Sequence, residues 1–323
     1  MKAIVLGLIL DLLIGDPYFL PHPVKLMGNI INFEEKIARK ISTKGKFLKF
    51  AGLIIVLINI FLGFLIPSLI LKYSNGLFNE IIKVYFVYTC VSARMLHYEA
   101  FKVRDCLKES LEKGRDRLKY IVGRDTSELS EKEVVAATVE TVSENTSDGV
   151  IAPLFYILIF GISFGFVYKF INTMDSMIAY KNEKYENLGY FPAIVDDIAN
   201  FIPARITGYL MAVSLFFKYD AKRSLRTIKR DHKKHLSPNA GYPESAVAGL
   251  LGIQLGGGHN YFGKFVYKPH IGQKYREISI KDIDRSVFIM YISSFVFAIL
   301  GMGLVFIINL LKGWRDETRW RFT

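Results

Sequence analysis

The segment E-T-V-S-E-N-T-S-D-G, residues 140–149, runs directly into the uncharged segment V-I-A-P-L-F-Y-I-L-I-F-G-I-S-F-G-F-V-Y, residues 150–168. Polar groups return in N-T-M-D-S-M-I-A-Y-K-N-E, residues 172–183, and in D-D-I-A-N-F-I-P-A-R, residues 196–205. Ionisable groups beside hydrocarbon are costly to desolvate, so they need partners such as a metal ion, a phosphate or one another. This arrangement predicts a binding or catalytic site built against a membrane-like core.

The composition of the whole chain indicates a membrane protein. Of its 323 residues 51% are hydrophobic, and these lie in long uncharged blocks. Residues 51–71 and 287–311 contain no Asp, Glu, Lys or Arg, and both exceed the roughly 20 residues that cross a bilayer. We therefore expect an all-α, polytopic integral membrane helical bundle with room for re-entrant segments. It would form one membrane-embedded domain over residues 1–323, with a mainly extramembrane helical insertion at 97–149.

Residues 150–168 are a third candidate span, and five to seven membrane-embedded segments are expected in total. The weaker candidates are residues 3–14, 81–96, 206–217 and 246–262. If residues 150–168 cross the membrane, the polar motifs before and after them lie on opposite faces and cannot share one site. A re-entrant hairpin turning near Gly161 to Gly165 would return the chain to the same face, and this interpretation is slightly favoured over a cavity within the bilayer.

The net charge of +12 has a topological explanation. The excess Lys and Arg residues lie mainly in three short loops, residues 36–49, 218–234 and 264–285. Cytoplasmic loops of membrane proteins carry such an excess, so these loops are placed in the cytoplasm and no nucleic-acid partner is expected. Cys90 and Cys106 show neither metal-site spacing nor a disulfide pattern.

Carboxylate and amide side chains in the central stretch suggest a Mg²⁺ site. Mg²⁺ favours oxygen ligands and commonly joins one or two carboxylates to substrate phosphates. The candidate metal ligands are Asp148, Asp175, Asp196 and Asp197. Lys181, Arg205 and the basic residues of 222–234 could neutralise phosphate or carboxylate charge. A structural alternative stays open, in which these residues pair with one another and hold re-entrant turns together.

Several classes of enzyme are excluded by missing motifs. The chain has no G-x-x-x-x-G-K-[ST] sequence, which excludes a P-loop. Asp148-Gly149 is followed by Val-Ile-Ala-Pro, which has Pro153 in place of the arginine in the D-G-x-x-A-R pattern of membrane alcohol phosphotransferases, and Asp196-Asp197 lacks the further aspartate of D-D-x-x-D. Ser143, Ser147 and Ser176 lie in no G-x-S-x-G context and have no obvious His partner.

Local patterns around the central stretch predict its neighbours. Ser130 and Glu133 form an S-x-x-E capping box, which predicts a helix that presents Glu140 and Glu144 one turn apart. His232 and His235 have a spacing that zinc sites use, but the two lysines between them and the lack of a nearby Cys argue against zinc. The three glycines at 256–258 would suit either a phosphate-binding loop or a flexible turn.

Five ordered motifs resemble the CobD/CbiB family of cobalamin biosynthesis, the membrane adenosylcobinamide-phosphate synthases. The motifs are D-L-L-I-G-D-P-Y-F-L-P-H-P-V-K-L-M-G (11–28), E-N-T-S-D-G-V-I-A-P-L-F-Y (144–156), N-T-M-D-S-M-I-A-Y-K-N-E-K-Y (172–185), D-D-I-A-N-F-I-P-A-R-I-T (196–207) and S-P-N-A-G-Y-P-E-S-A-V-A-G (237–249). The first motif begins at residue 11 and the last ends at residue 249. Outside the motifs, residues 29–139 and 260–323 match the family only in apolar character and length.

The resemblance implies an amide-forming ligase. It would join the free propionate carboxyl of adenosylcobyric acid to the amine of aminopropanol phosphate, or of aminopropanol. Activating a carboxylate calls for ATP, and Mg²⁺ would stabilise the transferred charge. The expected catalytic residues are Glu144, Asn145, Asp148 and Glu244. The expected substrate and phosphate contacts are His22, Asn172, Lys181, Asn182, Arg205 and Asn239. A membrane location would suit transfer of the corrinoid to other membrane-bound assembly enzymes.

The alternative from another class is a transporter or binding protein for a corrinoid or another phosphorylated solute. In that case the carboxylates would bind coupling ions, and the broken apolar segments would be discontinuous helices. No repeat relates the two halves of the chain, and its polar motifs are denser than ion coupling requires. ATP consumption coupled to amide formation would separate the two functions.

Overall fold

The computed structural model describes residues 1–17, 22–180, 182–261 and 264–319. Within these ranges the chain forms thirteen α-helices and one two-stranded antiparallel sheet. The helices are α1 (Lys2–Ile14), α2 (Pro23–Ile41), α3 (Gly45–Tyr73), α4 (Gly76–Cys90), α5 (Ala93–Glu109), α6 (Leu111–Leu118), α7 (Glu131–Thr146), α8 (Ala152–Phe160), α9 (Ile162–Ile178), α10 (Tyr190–Ser214), α11 (Ala221–Asp231), α12 (Gly241–Leu251) and α13 (Lys281–Arg319). The strands are β1 (Leu255–Tyr261) and β2 (Lys264–Ile271). The predicted helical fold is confirmed, and the small sheet is an addition to it.

Two helices in the described part of the chain are long and apolar enough to cross a membrane. They are α3 and the Lys281–Leu311 part of α13, which contain the predicted spans 51–71 and 287–311. Both leave large apolar side chains exposed, such as Phe61 on α3 and Leu300 on α13. Extended apolar surface of this kind suits contact with lipid better than contact with water.

The predicted span at 150–168 is wrong, because the segment turns back on itself at Gly161. This glycine has φ +96° and ψ 172° and ends α8 after nine residues. The rings of Tyr156 and Tyr168 stack with centroids 5.3 Å apart, and those of Phe160 and Phe164 also lie 5.3 Å apart. Such pairs occur only if α8 and α9 run antiparallel, so the predicted hairpin turn near Gly161 to Gly165 is confirmed.

The contacts of the hairpin show in which direction α3 runs relative to α9. Ser68 and Ser163 share a hydrogen bond of 2.9 Å, and Gly63, earlier in α3, packs against Phe170, later in α9. Helices α3 and α9 are therefore antiparallel.

On its other side the hairpin contacts α13. Ile151 and Leu154 pack in one cluster with Phe297, and Leu158 contacts Gly301. Because α8 and α13 advance together, they are parallel. Both long helices therefore run in the same direction, and their N-terminal ends lie on the same side of the bundle.

The predicted capping box opens α7 as expected. Ser130 accepts a hydrogen bond from the backbone N–H of Glu133, and the Glu133 side chain accepts one from the backbone N–H of Ser130. The helix is a core element, because nine of its sixteen residues are buried. It continues into a π-helical turn, Ser147–Ile151, before α8 begins.

The weak membrane candidate at 246–262 is wrong. Helix α12 ends at Gly252, which has the left-handed φ of +65°, and the chain then enters β1. The backbone N–H of Gly256 donates to the Glu140 carboxylate at 2.9 Å. This glycine therefore serves a buried side chain of α7, and neither a phosphate loop nor a flexible turn forms there.

Candidate functional site

A polar cavity of about 460 Å³ lies where the end of α7, the end of α9 and the start of α10 meet. A loop over residues 235–240 covers its remaining side. The polar side chains that line it are Glu144, Asp148, Asp175, Tyr180, Asp196, Asp197, Asn200, His235, Ser237 and Asn239. We call it the carboxylate cavity. It contains all four predicted metal ligands, which lie on three separate helical segments.

The hairpin and the π-helical turn explain how the carboxylates meet. Asp148 precedes the turn at Gly161 and Asp175 follows it at a similar distance along the chain, so antiparallel α8 and α9 return both to one end. Glu144 and Asp148 are four residues apart and both line the cavity. Glu140, expected on the same face as Glu144, instead binds Arg124 at 2.5 Å. A π-helical turn often marks a functional site.

A buried hydrogen-bond chain fixes the wall formed by α10. Tyr168 Oη donates to Asn200 Oδ1 at 2.8 Å, and Asn200 Nδ2 donates to Asp196 Oδ2 at 3.0 Å. Asp196 Oδ1 is buried and accepts no hydrogen bond from the described residues. An unsatisfied buried carboxylate oxygen is costly, so Asp196 Oδ1 is a candidate ligand-binding atom.

Asn239 connects the covering loop to α10. Its Nδ2 donates to the backbone oxygen of Asp197 at 2.9 Å, and its Oδ1 accepts from Arg205 Nη1 at 3.3 Å. The Arg205 guanidinium also lies over the Phe201 ring, 3.5 Å from its centroid. Arg205 therefore supports the cavity wall through Asn239 and does not line the cavity itself.

His235 is a cavity residue that the sequence analysis did not select. Its Nδ1 accepts from the backbone N–H of Ser237 at 2.9 Å, and its Nε2 lies 3.4 Å from Glu244 Oε1. Both ring nitrogens therefore have partners within the protein. The predicted catalytic residue Glu244 is buried behind His235 and does not line the cavity. The position of His235 two residues before the S-P-N-A-G motif was the available signal.

The other predicted site residues differ in how close they lie to the carboxylate cavity. Asn172 lies beside Asp196, whereas Asn145 donates to the backbone oxygen of Thr141 at 3.0 Å. Asn182 lines an adjoining depression of about 500 Å³ that shares Gly123 and Tyr180 with the carboxylate cavity. Lys181 lies outside the described residues.

His22 is not brought to the carboxylate cavity. It caps α2, since its Nδ1 accepts from the backbone N–H of Val24 at 3.3 Å, and its Nε2 lies 3.4 Å from Asp16. It lines a separate apolar pocket of about 270 Å³ between α2, α3, α4 and α9. A direct contact between His22 and a ligand in the carboxylate cavity is therefore not supported.

The donors in the carboxylate cavity suit Mg²⁺ in type, but they do not form a ready-made cage. Among the described residues, no three His, Cys, Asp or Glu side chains are arranged to hold a metal ion. Mg²⁺ usually keeps several waters and needs only one or two carboxylates when substrate phosphates complete its shell. Asp196, with its unsatisfied Oδ1, and Asp148 are the residues that would hold such an ion.

Fold and site together define a class, a helical protein with membrane-length helices that gathers carboxylates into a cavity at one end of its bundle. The model of one protein family, described as CobD/Cbib protein, matches residues 4–290. The chain therefore belongs to the CobD/CbiB family of cobalamin biosynthesis proteins.

Individual relatives agree with the family match. The cobalamin biosynthesis protein CobD of Clostridium tetani (strain Massachusetts / E88) is 46% identical over 302 residues, covering 92% of this chain and 95% of the relative. The cobalamin biosynthesis protein CbiB of Salmonella typhimurium (strain LT2) is 39% identical over 291 residues, covering 88% and 91%. No solved structure matches the chain significantly.

Proposed function

We propose that this protein is an ATP-dependent ligase of cobalamin biosynthesis that forms the amide between adenosylcobyric acid and aminopropanol phosphate or aminopropanol. Membership in the family places it in cobalamin biosynthesis and makes a corrinoid its natural substrate class. The observation that carries the proposal is the convergence of Glu144, Asp148, Asp175, Asp196 and Asp197 on one cavity. Amide formation from a carboxylate needs charge stabilisation and a proton acceptor, and these residues can supply both.

The chain's own residues have distinct roles in this proposal. Asp148 and Asp196 would hold Mg²⁺, which, with ATP, supplies the activation of the carboxylate. Glu144 lines the cavity directly and would accept the proton of the ammonium group, so that a free amine attacks. Glu244 would act only through His235, by holding the ring in place. Arg205 and Asn239 would keep the covering loop closed on α10.

The proposal also includes the location of the protein and the side of the membrane to which its cavity opens. Lys49 Nζ of α3 lies 3.3 Å from the ring centroid of Tyr190, so α10 and the carboxylate cavity begin beside the N-terminal end of α3. Basic residues surround that end, which favours the cytoplasm. On its outer face α10 exposes Ile198, Phe201 and Ile202. We infer a multi-pass protein of the cell membrane whose carboxylate cavity opens to the cytoplasm.

The first test uses the purified full chain in detergent. It is incubated with adenosylcobyric acid, Mg-ATP and either aminopropanol phosphate or aminopropanol, and the corrinoid mass is followed by chromatography. The proposal expects an amide product with matching consumption of ATP. Saturable corrinoid binding without product or ATP loss would instead support the transporter or binding protein.

Substitution of one cavity carboxylate tests the site itself. Asp148→Asn keeps the side-chain shape but removes the charge, so product formation should fall roughly 100-fold or more. The matched control is Asp116→Asn, since Asp116 is exposed on α6 and pairs with Lys119. Product formation is measured at equal amounts of folded protein. Full activity of Asp148→Asn would remove Asp148 from the proposed metal site.

A further inference from the structure

A second polar pocket lies at the other end of α12 from the loop that covers the carboxylate cavity. Its volume is about 380 Å³, and its charged lining consists of Lys218, Asp220, Arg223, Arg276 and Arg285. Helix α12 has 11 residues and is therefore about 16 Å long. The two sites are thus separate, and nothing in the proposed reaction uses this one. We call it the basic pocket.

The basic pocket has an excess of positive charge. Asp282 is fully buried and takes two hydrogen bonds from Arg276, one of them at 2.8 Å, and one of 2.8 Å from Arg285. Asp220 at the rim caps α11 by accepting from the backbone N–H of Arg223 at 2.8 Å. These two carboxylates offset only two of the four cationic side chains, so an anion is the complementary ligand.

Structural contacts hold the arginines in fixed positions. Arg223 Nε and Nη2 donate to the backbone oxygens of Gly249 and Leu250 at 2.6 and 2.8 Å. Arg276 Nε donates to the backbone oxygen of Leu251 at 2.9 Å. A guanidinium that is already oriented loses little conformational freedom when its remaining N–H groups bind a phosphate.

The basic pocket adjoins the surface that faces lipid. Phe216 and Phe217, just before Lys218, are 74% and 66% exposed. Lys218 Nζ lies 4.0 Å from the ring centroid of Phe288, which belongs to the membrane-length part of α13. A cationic side chain between exposed aromatic rings and an apolar span is typical of the headgroup level of a bilayer.

We propose that the basic pocket binds a phosphate group, and that its source is the headgroup of an anionic phospholipid. The arginines supply donors in fixed positions, and Lys218 supplies charge at the edge of the bilayer. Phe216 and Phe217 would lie against the acyl chains of the same lipid. Cationic residues near an anionic leaflet strengthen such binding electrostatically.

The test measures binding of phosphatidylglycerol to the full chain in detergent, by native mass spectrometry and by the melting temperature, with phosphatidylcholine for comparison. The variant combines Lys218→Gln with Arg285→Gln. Asp282 keeps Arg276 as its partner in this variant, so the fold should survive, and the melting temperature without lipid checks this. The variant should bind phosphatidylglycerol roughly tenfold more weakly or worse, with phosphatidylcholine binding unchanged.

The matched control combines Lys40→Gln with Lys46→Gln. Both lysines are exposed near the N-terminal end of α3, so the control removes the same charge from the same side of the bundle and should bind like the wild type. A parallel titration uses inorganic phosphate. If phosphate protects the wild type and phosphatidylglycerol does not, the phosphate site stands and its lipid source is overturned. If the Lys218/Arg285 variant binds both probes like the wild type, the proposal fails.

Discussion

The carboxylate of Glu140 contributes to stability and not to the cavity chemistry. It is buried with Arg124, at 2.5 Å, and also accepts from the backbone N–H of Gly256. Removing one partner of a buried ion pair leaves the other charge uncompensated and costs about 3–5 kcal/mol. We therefore expect Glu140→Gln to lower the melting temperature by roughly 5–10 °C. Glu131→Gln, on the exposed first turn of α7, is the control and should change it little. Equal melting temperatures would contradict this role.

The environment of Asp231 predicts that the stability of the protein decreases at low pH. Burial alone would raise its pKa, but hydrogen bonds from Arg230, Lys234 and the backbone N–H of Gly272 lower the pKa to about 2, from an ordinary value of 3.8. A carboxyl whose pKa is depressed on folding stabilises the fold fully above its unfolded pKa. That contribution is lost as the pH falls from about 4 towards 2.

The measurement compares the melting temperatures of the wild type and Asp231→Asn across this range. The wild type should be the more stable at about pH 5, and the difference should shrink as the pH approaches about 2. A difference that stays constant over the whole range would show that the carboxylate charge is not what stabilises this region.

The sequence alone was enough to select the four aspartates of the carboxylate cavity, from their residue type and from the apolar segments next to them. Asp148, Asp175, Asp196 and Asp197 stand out because a carboxylate beside an apolar run needs a reason. His235 could not be selected in this way, because its role comes from Glu244 behind it and from the path of the loop. Glu140 was grouped with Glu144 because both lie on one helical face, but Glu140 binds Arg124 and does not line the cavity. The spacing along a helix does not show which carboxylate an arginine from another segment will bind.

At the scale of elements, the turn at Gly161 brings the two polar motifs together. Its φ of +96° with ψ of 172° lies in a region that is essentially restricted to glycine, and a side chain there costs about 1–3 kcal/mol. A Cβ at Gly161 would meet no atom within 4 Å, so the cost is conformational and not steric. We expect Gly161→Ala to destabilise the hairpin and to reduce the proposed ligase activity by separating Asp148 from Asp175.

Gly303→Ala is the matched control for the hairpin. Gly303 lies inside α13, where a Cβ would also meet no atom within 4 Å, and alanine favours a helix. Its melting temperature should equal or exceed that of the wild type. If both variants behave alike in melting temperature and product formation, the backbone conformation at Gly161 is not important.

Hydropathy predicted the long helices but not the short elements. Residues 51–71 and 287–311 were identified as spans because they are long, apolar and uncharged. Residues 150–168 are also apolar and uncharged, but they fold into two helices. Gly161 and Gly165 were equivalent in sequence, but Gly165 allows close packing, since a Cβ there would lie 2.6 Å from Ile157. The sheet was missed because β1 has three glycines at 256–258 and lacks the β-branched residues that signal a strand.

At the scale of the whole molecule, the common direction of α3 and α13 predicts the membrane topology. Their N-terminal ends carry basic residues and should face the cytoplasm, so the turn between α3 and α4 should face outward. In whole cells, a membrane-impermeant maleimide should label Asn75→Cys, whereas Lys44→Cys and Lys274→Cys should react only after lysis.

The background for this experiment is Cys106→Ser, because the other cysteine, Cys90, is buried. Detergent-solubilised protein provides the reference for full labelling of each variant. Labelling of Lys44→Cys and Lys274→Cys from opposite sides would contradict the parallel arrangement of the two long helices. Labelling of both in intact cells would reverse the proposed orientation.

The shortness of α8 has a consequence for synthesis in the cell. Nine residues of helix extend about 14 Å, roughly half the thickness of the hydrocarbon layer. Such a segment cannot settle in the bilayer alone, so it has to enter together with α9. Helix α3 leaves the ribosome earlier and provides a surface for α9, whereas α13 follows α8 in the chain and covers it later. The hairpin is therefore fully covered only after α13 has emerged.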